Sequence, residues 1–138
     1  MIYTSYFAKM SKLPGNVIPI AISLTVPKDV TCLHCKLLAP SGSLLRCYKT
    51  EENVEAYTKS YTSSVLSKLT VKTVLNALYQ LLPANVIMRY DLDPDTWYMC
   101  NEVNVCLMCW ERPDKFCHRQ LVRDWLNANG IPCIEYIY

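Results

Sequence analysis

Glycine is nearly missing, with three in 138 residues. Only a residue without a Cβ lets the backbone close around a pyrophosphate, so a glycine-rich phosphate loop and a dinucleotide fingerprint are both excluded. Also absent is any uninterrupted apolar run near the roughly 20 residues that a membrane-spanning helix requires. No membrane partner is therefore expected. Residues 1–12 alternate polar and apolar side chains and show neither the basic start nor the hydrophobic stretch of an export signal, which makes a cytoplasmic protein the expectation. Charge of one sign is scarce too. A net charge of +2 is too small to argue for nucleic acid by itself. No internal repeat or low-complexity tract is found.

What is there describes a folded chain. Hydrophobic residues make up 51% and charged residues 19%, which excludes a disordered segment. A length of 138 residues allows one domain with a real core and is short for two. Cysteine is abundant, at positions 32, 35, 47, 100, 106, 109, 117 and 133. A secreted disulfide framework predicts a smaller, loop-rich chain behind an export signal. Several of these cysteines fall inside apolar strand-like runs, so most read as small buried hydrophobes.

Taken in order, residues 1–6 alternate and predict a first strand. Residues 8–13 predict a short basic helix ended by Pro14-Gly15. Residues 17–24 are nearly all apolar and predict a buried strand, with Pro19 near its start. Residues 25–43, with prolines, a CxxC and a Ser-Gly turn, predict a long loop. Val54, Tyr57, Tyr61, Val65 and Leu66 recur at helical spacing, which predicts a helix over 50–68 capped by Thr50. Thr70 caps a second helix carrying Val71, Val74, Leu75, Leu78, Leu81 and Leu82, stopped by Pro83. A short strand is expected over 86–90, an irregular acidic connection over 91–104, and a buried strand over 105–110. A charged loop, residues 111–115, leads to a helix with the stripe Leu121, Val122, Trp125 and Leu126. Asn129-Gly130 ends that helix, and residues 131–138 form a β-rich close. This alternation predicts the α/β class: a single compact domain with a mostly parallel sheet flanked by helices.

In such sheets ligands sit beyond the carboxyl ends of the strands, where helix N-termini also point. The loop after residue 110 joins one such strand end to one such helix start, and it delivers Cys117, His118 and Arg119 to the first helical turn. Free backbone amides and nearby cations lower a thiol's pKa there, which suits a nucleophile or a metal ligand. Counting by two along the strand puts Cys109 and Glu111 on one face and Cys106, Met108 and Trp110 on the other. Cys117, His118 and Glu111 are thus the catalytic candidates, as nucleophile, proton carrier and orienting or basic partner. Arg119, Cys109, Arg112 and Ser5 are the ligand-binding candidates, with Arg119 as an anion clamp. The plain structural alternative packs Cys117 under the helix, bonds His118 to a carbonyl and pairs Arg119 with Glu111 or Asp124.

Two CxxC motifs occur. A strand sends Cys106 and Cys109 to opposite faces, so that pair is no half of a zinc ribbon. Cys32 and Cys35, in the proline-containing loop, are better placed for zinc but need a third ligand from elsewhere, Cys109 or Cys117. Among the aromatic residues, Tyr57, Tyr61 and Trp125 fall on core stripes, while Tyr3, Tyr6, Tyr48 and Trp110 remain as rim residues able to stack on a base.

The run VCLMCWERPDKFCHRQLVRDWL, with the opening IYTSYFAKMSKLP and the later LLAPSG, resembles the family catalogued as domain of unknown function 488. The corresponding positions are Met108, Cys109, Trp110 and Glu111, then Cys117, His118, Arg119 and Gly130. The likeness covers both ends of the chain and thins out between about residues 51 and 104. Thr4-Ser5-Tyr6 stands where many relatives show a Gly-His pair. The resemblance implies a compact α/β domain of bacteria and their viruses, with a cysteine and histidine cluster at the sheet's carboxyl edge. It supplies no reaction.

Two functional expectations follow. The leading one is a small enzyme binding a phosphate-bearing or nucleotide-like ligand at the strand mouth. The other is a non-enzymatic module directed at nucleic acid or protein, with structural or zinc-bound cysteines; a third class, a virus-encoded interaction protein acting on a host factor, fits the small size and composition but no residue selects it.

Overall fold

The computed structural model describes residues 1–138. Its frame is an all-parallel sheet of five strands in the order β3-β2-β4-β1-β5: β1 Ile2–Tyr6, β2 Val17–Ala21, β3 Leu33–His34, β4 Asn104–Cys109 and β5 Cys133–Glu135. Register pairs Thr4 with Leu107 and Glu135, and Ile20 with Leu107 and Leu33. The central strand β4 is buried on both faces, as a parallel strand covered from both sides must be.

Side-chain alternation divides the interior. Ile2, Ile20, Val105 and Leu107 face a large core shared with the helices, whereas Ala21, Cys106 and Met108 face a small one closed by Phe7 and Val17. The α/β class is therefore as the periodicity predicted, and the helices are concentrated on one face.

Five helices build that layer: α1 Gly42–Glu51, α2 Val54–Ser64, α3 Val71–Leu81, α4 Ala84–Arg89 and α5 His118–Ala128. Thr70 caps α3 through a hydrogen bond from the Thr73 amide, as expected. Gly130 takes φ +81 after α5, a conformation that costs a residue with a Cβ about 1 kcal/mol or more.

Three expectations need correction. The single helix over 50–68 is three elements: the end of α1, α2, and a 3-10 turn over Leu66–Lys68. Thr50 belongs to the last turn of α1, where its hydroxyl donates to the Arg46 carbonyl, and Asn53 caps α2 by accepting from the Ala56 amide. The left-handed Glu52 (φ 50) makes the break. Residues 86–89 are helical rather than extended and Tyr90 is the C-cap, because the Pro83 carbonyl accepts from the Val86 and Ile87 amides and starts a helix there. The expected loop over 25–43 contains strand β3 and the start of α1, whose Ser41 cap accepts from the Leu44 amide. No helix is long and apolar enough to cross a membrane.

Candidate metal and thiol centre

The chain leaving β1 runs toward β2 on one side of the sheet's centre, and the chain leaving β4 runs toward β5 on the other. Cys109 is the last residue of β4, and its parity with Val105 and Leu107 points it at the helical layer. Across the loop, Cys117 is the N-cap of α5 in extended backbone, and its side chain makes no capping bond. The sulfur is instead free to turn inward, where His118, the first helical residue, also packs.

Three ligand atoms meet there. The Cys109 Sγ lies 3.4 Å from His118 Nδ1, and the Cys117 Sγ lies 3.9 Å from the same nitrogen. All three are within 4.8 Å of one another. Cys109 and Cys117 are each 5% exposed and His118 3%. The far ring nitrogen of His118, Nε2, is 2.8 Å from the Ile22 carbonyl, just past the end of β2. A carbonyl only accepts, so Nε2 carries the proton, and in the neutral ring the Nδ1 lone pair faces the two sulfurs.

The sulfurs do not titrate independently. Cys117 is pulled below the ordinary thiol range, first by a hydrogen bond from Cys109, against the opposing cost of burial. Cys109 moves the other way, because it keeps the proton it donates to Cys117 and is buried as well.

An aromatic wall closes the helical side. Tyr61 meets the His118 ring edge-on at 5.4 Å and donates its hydroxyl to the Leu38 carbonyl. Tyr57 packs against Phe116 at 5.3 Å and against Tyr48 at 5.4 Å.

Arg119 is close in sequence but turned elsewhere. Fully buried, it bonds both carboxylate oxygens of Glu135 at 3.0 and 3.1 Å and donates to the Glu111 carbonyl. Its planar fork is thereby committed within the protein. Glu135 also accepts from the Thr4 hydroxyl at 2.6 Å, which ties the start of α5 to β1 and β5. Arg119 pairs with neither Glu111 nor Asp124 as an ion pair; Asp124 pairs with Arg123.

Of the other sequence candidates, Glu111 contributes its carbonyl rather than its exposed carboxylate. Arg112 is exposed and faces Asp114. Ser5 points to the opposite side of the sheet, where its hydroxyl meets Tyr138 at 2.7 Å. Cys32 donates to the Pro19 carbonyl on the small-core side, and Cys35 is buried in the large core. The zinc set anticipated around Cys32 and Cys35 is therefore not assembled; the sulfurs that meet a histidine are Cys109 and Cys117.

Sequence reasoning missed Glu135 and the Ile22 carbonyl. Glu135 left one signal, a lone carboxylate inside an otherwise apolar and aromatic closing run. All eight cysteines are free thiols. Compared with family models, with curated proteins and with solved structures, the chain matches none of them.

Proposed function

We propose that Cys109, Cys117 and His118 hold one soft divalent cation, zinc first, and that the chain is a small metal-dependent enzyme of the cytoplasm, where thiols stay reduced. The observation that carries this reading is the spacing of the three ligand atoms. A tetrahedral zinc with bonds of about 2.3 Å to sulfur and about 2.05 Å to nitrogen sets its sulfur and nitrogen ligands about 3.6 Å apart. The distances here, 3.4 and 3.9 Å, bracket that value.

Charge and hydrogen bonding agree. Two thiolates and a neutral imidazole offset a dication with no net buried charge. The Nε2–H bond to the Ile22 carbonyl fixes the tautomer that presents Nδ1, as second-shell partners of metal-bound histidines do.

Three protein ligands leave a fourth position, the arrangement of catalytic rather than structural zinc. When bound, the metal would supply a Lewis acid at that position. A phosphate-bearing or nucleotide-like ligand is the proposed occupant, held by the metal rather than by Arg119, whose guanidinium is committed to Glu135. Membership in the domain of unknown function 488 family is part of the same proposal, supported by Cys109, Cys117 and His118 falling at the positions that carry the resemblance.

Elemental analysis tests it. Purified protein is expected to hold one zinc per chain, lost in Cys109→Ser and Cys117→Ser and kept in Cys32→Ser. Zinc absent from the wild type after refolding with excess metal would overturn the proposal.

A second reading is favoured by the depressed Cys117 thiol at a helix start: Cys117 as a nucleophile without metal. Alkylation separates the two. A metal ligand is protected from iodoacetamide by added zinc, while a free nucleophile reacts at the same rate with or without it.

A further inference from the structure

Cys109 and Cys117 share a histidine, and they also stand at the two ends of one loop. Their sulfurs lie within 4.8 Å of each other, and each is near His118 Nδ1, at 3.4 and 3.9 Å. Closing that gap to the about 2.05 Å of a disulfide takes under about 3 Å of sulfur travel. The chain between them is able to follow. Residues 110–115 are all exposed and belong to no helix or strand, and the Cys117 side chain makes no capping bond that would hold it to α5.

Access favours a small reagent. Both cysteines are slightly exposed, enough for a solute of a few atoms and too little for the thiol of another protein. The same two sulfurs are the anionic ligands of the proposed cation, and in a disulfide neither sulfur carries the charge that binds it. Only the neutral His118 ring would remain, which does not hold zinc by itself. Oxidation of the pair and loss of the metal are then one event.

We propose that Cys109 and Cys117 form a redox switch on the metal site, in which a small hydroperoxide joins the two sulfurs as a disulfide and the cation leaves. The inference rests on the metal reading above and adds its regulation. With hydrogen peroxide the step balances: two thiolates give up two electrons and gain one S–S bond, the O–O bond breaks, and its oxygens take two electrons and four protons in all, two of them from solvent, to leave as two waters. A dithiol reverses it by thiol–disulfide exchange, becoming a disulfide itself and freeing both sulfurs to bind the cation again.

The test treats zinc-loaded protein with an equimolar amount of hydrogen peroxide. Released zinc is read with a chromogenic chelator, and remaining thiols are alkylated before non-reducing peptide mapping. One zinc is expected to appear per Cys109–Cys117 disulfide, with two of the 8 cysteines lost to alkylation. Dithiothreitol followed by added zinc should restore the metal content. Cys47→Ser, which removes the exposed thiol of α1, should respond as the wild type does. Zinc retained under peroxide, zinc released while Cys109 and Cys117 remain unlinked, or a response abolished in Cys47→Ser overturns the switch and leaves the metal site standing. Wild-type protein that holds no zinc before peroxide is added overturns the metal reading, and the switch with it.

Discussion

Removing the Glu135 carboxylate tests how the site is braced. In Glu135→Ala the Arg119 guanidinium, itself without solvent exposure, loses two charge-assisted hydrogen bonds, and the buried Thr4 hydroxyl loses its acceptor. Stripping one partner from a buried pair costs about 3–5 kcal/mol, because the remaining charge stays desolvated and unmatched. The Glu135 side chain is 22% exposed, so water relieves part of the loss and the lower end applies, about 3 kcal/mol. For 138 residues the unfolding entropy is about 0.3 kcal/mol/K, so the melting temperature should fall by about 10 °C. Glu135→Gln keeps an acceptor for Thr4 and removes only the charge, and should fall between the wild type and Glu135→Ala. Replacing both partners, Arg119→Met with Glu135→Leu, should recover most of the loss, since no buried charge is left over. Urea unfolding measures each of these, and Arg119→Met and Glu135→Leu measured singly beside the wild type and the double variant close the double-mutant cycle. A Glu135→Ala cost under about 1 kcal/mol, the worth of an exposed ion pair, would refute the reasoning.

Alkaline pH should destabilise the fold through its buried thiols. Burial pushes Cys133 up to about 12 from an ordinary 9.0, and it raises Cys106 further still. Above about pH 9 the unfolded chain releases these protons while the folded chain keeps them, so stability is full below that pH and is lost as pH rises toward the folded values. Each thiol contributes a slope of about 1.4 kcal/mol per pH unit, and Cys133→Ala should flatten the stability profile above pH 9 by that amount; an unchanged slope would count against it. Asn53→Ala should cost about 1 kcal/mol in urea unfolding by uncapping α2, whereas Thr50→Ala, inside α1, should stay within about 0.5 kcal/mol; the reverse ranking would restore a single continuous helix.

The class of fold was legible because its evidence is local. Buried parallel strands leave apolar runs such as residues 105–110, amphipathic helices leave stripes such as Val74, Leu75 and Leu78, and the two alternate. Short elements were less legible. Residues 86–90 carry β-branched side chains, and a run of four or five apolar residues does not separate strand from helix by period. Thr50 and Asn53 both offer a cap, and only the left-handed Glu52 decides between them.

At the site, helix phase put Cys117 and His118 side by side at the strand mouth, while Cys109 was grouped with Glu111 and not with them as a ligand set. It did not place the Arg119 guanidinium, whose partner arrives 16 residues later on a strand that joins the sheet beside β1. Ser5 was misjudged by the same period of two: its neighbours Thr4 and Tyr6 face the helical layer near Arg119, so Ser5 must face away.

X-ray absorption at the zinc edge on the zinc-loaded protein addresses the central claim most directly. The account predicts a shell of two sulfurs at about 2.3 Å and one imidazole nitrogen at about 2.05 Å, with one further light atom. A shell of nitrogen and oxygen alone, or one with four sulfurs, would contradict it.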